Sequence, residues 1–122
     1  MIAAADFVSM LFLARELTHR EHLKTTSYAK HVALGDFYES VVEMADEFAE
    51  VYQGQYGIIK DIPLGENEFS GEIDDILESQ LEWIEKLREK NFTKPIDRPL
   101  QNLIDTICAL YLRTIYKLRN LK

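Results

Sequence analysis

The sequence predicts an all-α protein, built as a four-helix bundle with one long connection between its second and third helices. Apolar residues recur every three or four positions in four segments, which is the mark of helices with a buried stripe. Only five Gly and three Pro occur in 122 residues, which disfavours a sandwich or barrel of many short strands. The length predicts a single domain, residues 1–122, with its own core.

The first two helices are predicted to be joined by a short break. Helix one is expected over about residues 3–23, and helix two over about residues 28–53 with Gly54 as its C-cap. The hydroxyl side chains of residues 25–27 are suitable N-caps. The segment contains neither Gly nor Pro, so the alternative of one continuous helix stays open. The inward positions of the two helices share helical spacing: Phe7, Leu11, Ala14, Leu17, Leu34, Phe37, Val41, Met44, Phe48 and Tyr52.

The second half is predicted to be another pair of helices. Residues 55–70 form the long connection, and such a segment in a small domain is more often packed or functional than idle. Helix three is expected over about residues 70–90, a Pro-containing turn over 91–99, and helix four over about 98–121. Their inward positions again share helical spacing: Ile73, Ile76, Leu77, Leu81, Ile84, Leu87, Leu103, Ile107, Leu110, Tyr111, Ile115 and Leu118. Trp83 is expected at the edge of the core.

Charge and cysteine content exclude several classes of function. The net charge is −7, divided into −11 over residues 1–97 and +4 over residues 98–122, which argues against a broad basic face for nucleic acid. The lone Cys108 excludes a disulfide framework and is expected to be an inert core thiol. The apolar run 2–14 is too short for a membrane span and lacks the layout of a secretory signal, so a cytoplasmic location is expected.

All three histidines lie within 13 residues, at His19, His22 and His31. If the chain breaks near residues 24–27, His19 and His31 can face each other across the hairpin. In one continuous helix they would be about 18 Å apart and could not share a metal. His22 is either an accessory ligand or, more simply, solvent-exposed.

Asp46 and Glu50 lie four residues apart on one face of helix two, which suits a hard cation. His31 and Asp46 are about 22 Å apart along the helix axis, so one subunit cannot bring both to one metal. Two copies of helix two packed antiparallel around a two-fold axis would bring them together in two equivalent sites. The alternative is that both acids belong to a solvated surface.

The pattern His19-x11-His31-x14-Asp46-x3-Glu50 resembles the ferroxidase signature of the Dps proteins, or mini-ferritins, as does the run DFYESVVEMADEFAE. The resemblance implies a ferritin-like fold and iron as cofactor, with Fe(II) oxidised at intersubunit sites for iron sequestration and oxidative protection. Zinc or manganese could occupy the same ligands. The implied partner is a second copy, with a dimer at least and a twelve-subunit cage left open. The sequence departs from the family where Arg20 replaces an aromatic residue.

Two alternatives to a ferroxidase follow from that departure. One is a non-catalytic ferritin-like interaction protein that acts on a host partner through its acidic surface. The chain is also similar to small ferritin-like proteins of tailed phages, which suits a phage accessory role. The other alternative is a simple metal-binding dimer. Glu16-x-x-His19 matches the spacing of di-iron bundles, but the sequence contains no second such motif.

Overall fold

The computed structural model describes residues 2–122, and within that range every regular element is a helix. Its elements are α1 (Ala3–Lys24), α2 (Tyr28–Tyr56), α3 (Ile73–Lys90), a short 3₁₀ turn (Pro95–Asp97) and α4 (Arg98–Asn120). The prediction of an all-α chain with four helices and a long connection between the second and third is therefore confirmed for this part of the chain.

The four helices form a closed ring around one core. Helix α1 packs against α2 and α3, and α4 packs against the same two helices from the opposite side. The connection after α2 runs along α1, where the Ser9 hydroxyl donates to the Pro63 carbonyl at 2.6 Å. It brings the start of α3 beside Arg20, near the end of α1. Helices α2 and α3 therefore run parallel, while α1 and α4 run in the opposite direction.

The short break between the first two helices is confirmed. Helix α1 ends at Lys24, and the Ser27 hydroxyl caps α2 by accepting from the Lys30 amide at 3.3 Å. Because only three residues separate the helices, their facing sides pack closely over most of their length.

Two other helix boundaries differ from the prediction. Helix α2 continues past Gly54 to Tyr56, and Gly57 ends it with a φ of 97°. Gly57 has the left-handed backbone that only glycine adopts without strain, whereas Gly54 is helical, so the predicted C-cap was three residues early. Helix α3 begins at Ile73 rather than near Ser70.

The apolar stripes meet in one core, as predicted. Its largest rings are in edge-on contact: Phe7 with Phe48 at 4.7 Å and Phe37 with Tyr111 at 5.1 Å between ring centroids. The predicted positions that are buried are Phe7, Leu11, Ala14, Leu34, Phe37, Val41, Phe48, Ile73, Leu77, Ile84, Leu87, Ile107, Leu110, Tyr111, Ile115 and Leu118. The predicted positions that are only half-buried are Leu17, Met44, Tyr52, Ile76, Leu81 and Leu103. Trp83 packs at the edge of the core, as expected.

Candidate functional site

Two histidines pair across the α1–α2 hairpin. The rings of His22 and His31 stack with centroids 3.7 Å apart and planes 18° apart. Each ring also bonds to the other residue's backbone: Nδ1 of His22 lies 2.6 Å from the His31 carbonyl oxygen, and Nδ1 of His31 lies 2.8 Å from the His22 carbonyl oxygen. Because a carbonyl oxygen only accepts, both Nδ1 atoms carry a proton. In the neutral rings Nε2 is then the atom with a free lone pair.

The pair contacts a further ring, since His22 lies edge-on to Tyr38 with centroids 5.2 Å apart. We call the whole cluster of side chains the histidine stack: Arg15, His19, His22, His31 and Tyr38. The ring of His19 stacks on Tyr38 with centroids 4.3 Å apart, and the Arg15 guanidinium lies 5.5 Å from the Tyr38 centroid. The absence of a side chain at Gly35 makes room for His22, since a Cβ there would lie 3.1 Å from the ring. The histidine stack joins the facing sides of α1 and α2.

The predicted ligand arrangement is only partly observed. His31 contacts His22 rather than His19, although the break brings all three histidines to one surface. The expectation that His22 is solvent-exposed is wrong, because it is half-buried at the centre of the stack. Residue 22 lies four residues before the middle of the break, and residue 31 lies five residues after it. These distances do not identify the pair, because the pairing depends on how α1 and α2 are rotated about their axes.

Asp46 and Glu50 lie on the exposed side of α2, far along the helix from the histidines. Among residues 2–122, no three His, Cys, Asp or Glu side chains are grouped so that they could hold a metal ion. The four predicted ligands, His19, His31, Asp46 and Glu50, are thus not assembled within one chain. A site shared between two copies stays a prediction.

The exposed side of α2 is strongly acidic. Six carboxylates share it, and no Lys or Arg occurs between Lys30 and Lys60. In the region that the structure describes, none of the six forms an ion pair. We call this surface the acidic face: Asp36, Glu39, Glu43, Asp46, Glu47 and Glu50.

A second polar cluster joins the end of α2 to the start of α4. Asp97 is 2% exposed, and its carboxylate accepts from the Tyr56 hydroxyl, from Gln55 Nε2 at 2.8 Å and from the Lys94 amide at 3.1 Å. The bond to Asp97 raises the pKa of Tyr56 above its ordinary value. The sequence analysis missed this cluster, because its residues are brought together by the packing of α2 against α4.

Cys108 is buried between α3 and α4, as expected, and its thiol donates to Glu85 Oε1 at 3.2 Å. Burial, and next the bond to Glu85, raise the pKa of the thiol to about 12. A thiol with that pKa holds almost no thiolate near neutral pH and is a poor nucleophile or metal ligand.

Comparison with known proteins assigns the chain to a family. Residues 22–118 match a family of unknown function, DUF5856. The chain belongs to this family. It is also similar to an uncharacterized 14.6 kDa protein of enterobacteria phage T4, from the mobD–ri intergenic region. The two are 22% identical over 120 residues, which cover 94% of this chain and 87% of the phage protein. No solved structure matches.

The DUF5856 match corrects the resemblance to Dps mini-ferritins, which was wrong as an identification of the family. The histidine stack supplies a physical reason. His31 in this DUF5856 chain contacts His22, and His19 contacts Tyr38, so the two histidines of the pattern that imitates a ferroxidase signature pack against neighbouring rings.

No helix in residues 2–122 is both long and apolar enough to cross a bilayer.

Proposed function

We propose that this DUF5856 chain is a non-catalytic helical interaction protein of a phage, which binds a basic surface of a protein partner through the acidic face of α2. The observation that carries the proposal is the acidic face itself: six exposed carboxylates without an ion pair in the described part of the chain. The similarity to a phage T4 protein supports the phage setting.

Like charges on neighbouring turns of one helix repel each other, so the row does not favour the folded chain. A basic partner surface would remove that repulsion and would be steered to the complex by the long-range field. Because the field is screened by salt, the complex should weaken as ionic strength rises.

We also propose that the bundle has a ferritin-like fold. A bundle with one long crossover, here between the parallel helices α2 and α3, has the connectivity of ferritin-like folds. The likeness concerns topology alone, and it carries no enzymatic activity, since one fold hosts many functions.

The test is affinity capture from infected and uninfected host cells, with the partner then purified. The variant Glu43→Lys, Asp46→Lys, Glu50→Lys reverses three charges of the acidic face. The matched control Glu66→Lys, Glu82→Lys, Glu89→Lys makes the same charge change at exposed acids elsewhere. We expect the control to bind within about threefold of the parent and the α2 variant to lose at least tenfold in affinity. Equal binding by both variants would refute the proposal.

A divalent metal shared between two copies is a second candidate function. It is favoured by the Nδ1 atom of His31, because metal-binding histidines commonly donate one ring N–H to a carbonyl and ligate through the other nitrogen. His19 and His31 of one copy and Asp46 and Glu50 of a second copy would then supply mixed nitrogen and oxygen ligands, which suit zinc, manganese or iron. Iron oxidation at such a site stays a prediction.

Light-scattering mass during a zinc titration separates the two candidates. A shared site predicts a zinc-dependent dimer that His31→Ala and Asp46→Asn both abolish, whereas Asp36→Asn does not. A mass that is independent of zinc, or a dimer that persists in His31→Ala, would exclude the shared site and leave the interaction protein.

A further inference from the structure

A cleft of about 410 Å³ lies at the end of the bundle opposite the α1–α2 hairpin. The start of α1, the end of α2 and the turn between α3 and α4 form its walls, and its volume is in the range of small-molecule sites. The lining combines aromatic rings with two cations. The side chains that matter are Tyr52, Tyr56, Lys90, Phe92 and Lys94.

The cleft is locally basic although the protein carries a net charge of −7. Lys90 and Lys94 are exposed, and neither forms an ion pair within residues 2–122. Asp97 is the single acid in the lining, and its carboxylate oxygens are already bonded to Tyr56, Gln55 and the Lys94 backbone. The two ammonium groups are therefore free for an anion.

The aromatic wall is held in place before any ligand arrives. Asp97 anchors the Tyr56 hydroxyl, and the Tyr56 ring, 44% exposed, lies 5.0 Å from that of Tyr52. Phe92 holds a φ of 61°, a backbone region that costs most residues energy, and its ring packs edge-on against Phe48 and Tyr52. A rigid wall of this kind reduces the entropy lost when a flat ring stacks on it.

We propose that this cleft binds a nucleotide, with the base stacked on the exposed face of Tyr56 and the phosphate between Lys90 and Lys94. Aromatic side chains stack on any base, and lysines are point charges suited to phosphate. A free nucleotide and the phosphorylated end of a single strand present the same chemistry. The site is distinct from the acidic face, so the proposal is independent of the protein partner.

Isothermal titration of the full-length chain with AMP tests the site. Adenosine and inorganic phosphate serve as half-ligands, and both should bind at least tenfold more weakly than AMP. The variant Lys90→Gln, Lys94→Gln should lose at least tenfold in AMP affinity. The matched control Lys60→Gln, Lys86→Gln removes two exposed lysines outside the cleft and should bind within threefold of the parent.

The outcomes are decisive in both directions. No heat with millimolar AMP, equal affinity for AMP and phosphate, or the same loss in both lysine variants would overturn the proposal. A 5′-phosphorylated oligoadenylate distinguishes the two sources. If the oligoadenylate binds at least tenfold more tightly than AMP, the ligand is the end of a single strand. If it binds equally or more weakly, the ligand is the free nucleotide.

Discussion

The acids of α2 and the acids of the α3–α4 pair have opposite surroundings. Arg119 on α4 bonds to Asp74, Asp75 and Glu78 at the start of α3, and its hydrogen bond lowers the pKa of Asp74. At the other end of the pair, Arg88 on α3 bonds to α4. The six acids of the acidic face have no such partner in residues 2–122.

The difference separates two uses of charge within one small protein. Between α3 and α4, carboxylates and guanidinium groups link neighbouring helices and contribute to folding. On α2 the carboxylates of the acidic face form no ion pair within residues 2–122, while the opposite side of that helix supplies buried apolar residues. Stability and recognition are therefore expected to respond to mutations in different helices, which makes the comparison testable.

Removing Arg88 should have the largest effect on stability. Its guanidinium, 18% exposed, donates to Asp105 at 2.6 Å and to the side chain and backbone carbonyl of Gln101 at 2.9 and 3.1 Å. Arg88→Met should lower the free energy of unfolding by about 2 kcal/mol, because the two partly buried acceptors of Gln101 lose a charged donor. Urea denaturation measures it, with the exposed Lys86→Met as control. Equal stability of the two variants would refute the structural role of this arginine.

Filling the space at Gly35 should have the next largest effect. Gly35→Val places atoms against the His22 ring, which its Nδ1 bond prevents from moving aside, so we expect a loss of about 1–2 kcal/mol. Gly54→Val is the matched control, since no atom lies within 4 Å of a Cβ at that helical position. Thermal unfolding that is unchanged in Gly35→Val would show that the histidine stack does not hold the hairpin.

Neutralising the acidic face should change stability little. Glu43→Gln, Asp46→Asn, Glu50→Gln should stay within about 0.5 kcal/mol of the parent. Asp74→Asn should instead lower the melting temperature at pH 7. The lowered pKa of Asp74 means that its ionised carboxylate stabilises the folded state, and asparagine cannot ionise. That difference should persist above the ordinary pKa of aspartate, about 3.9, and vanish as the pH falls through the lowered value. If the triple variant had a lower melting temperature than Asp74→Asn, the acids of α2 would stabilise the fold more than those of α3, contrary to the expectation.

The smallest effect concerns Cys108, whose modification in the native state should be negligible. With its pKa raised to about 12, mainly by burial, the thiol should resist iodoacetamide at pH 8 and react within minutes in denaturing urea. Mass spectrometry of the alkylated fraction measures both rates. Rapid labelling without urea would show that the α3–α4 interface opens at this point.

Prediction from the sequence succeeded where the signal was local. The apolar stripes located all four helices, and the hydroxyl residues at 25–27 located the break, because helix periodicity and capping depend on neighbours within a few residues. The end of α2 was misplaced because Gly54 and Gly57 carry the same sequence signal. Their backbone conformations differ only once the chain turns into the connection.

In the candidate site, too, local features were predictable and features that depend on packing were not. Three histidines on one side of a hairpin were predictable, but their pairing was not. Whether His31 meets His19 or His22 depends on how α1 and α2 are rotated about their axes. The Tyr56–Asp97 contact was beyond prediction for a related reason, since 41 residues separate its members.

What the sequence determined by itself is an acidic, all-helical chain with its apolar stripes, its break and the acids Asp46 and Glu50 on one helix face. Those properties follow from composition and from periodicity along a single helix. Only the tertiary structure decided which histidines stack, which acids meet an arginine and where a basic aromatic cleft opens. These depend on the order and direction of the four helices, which are set by burying every stripe at once and not by any one segment.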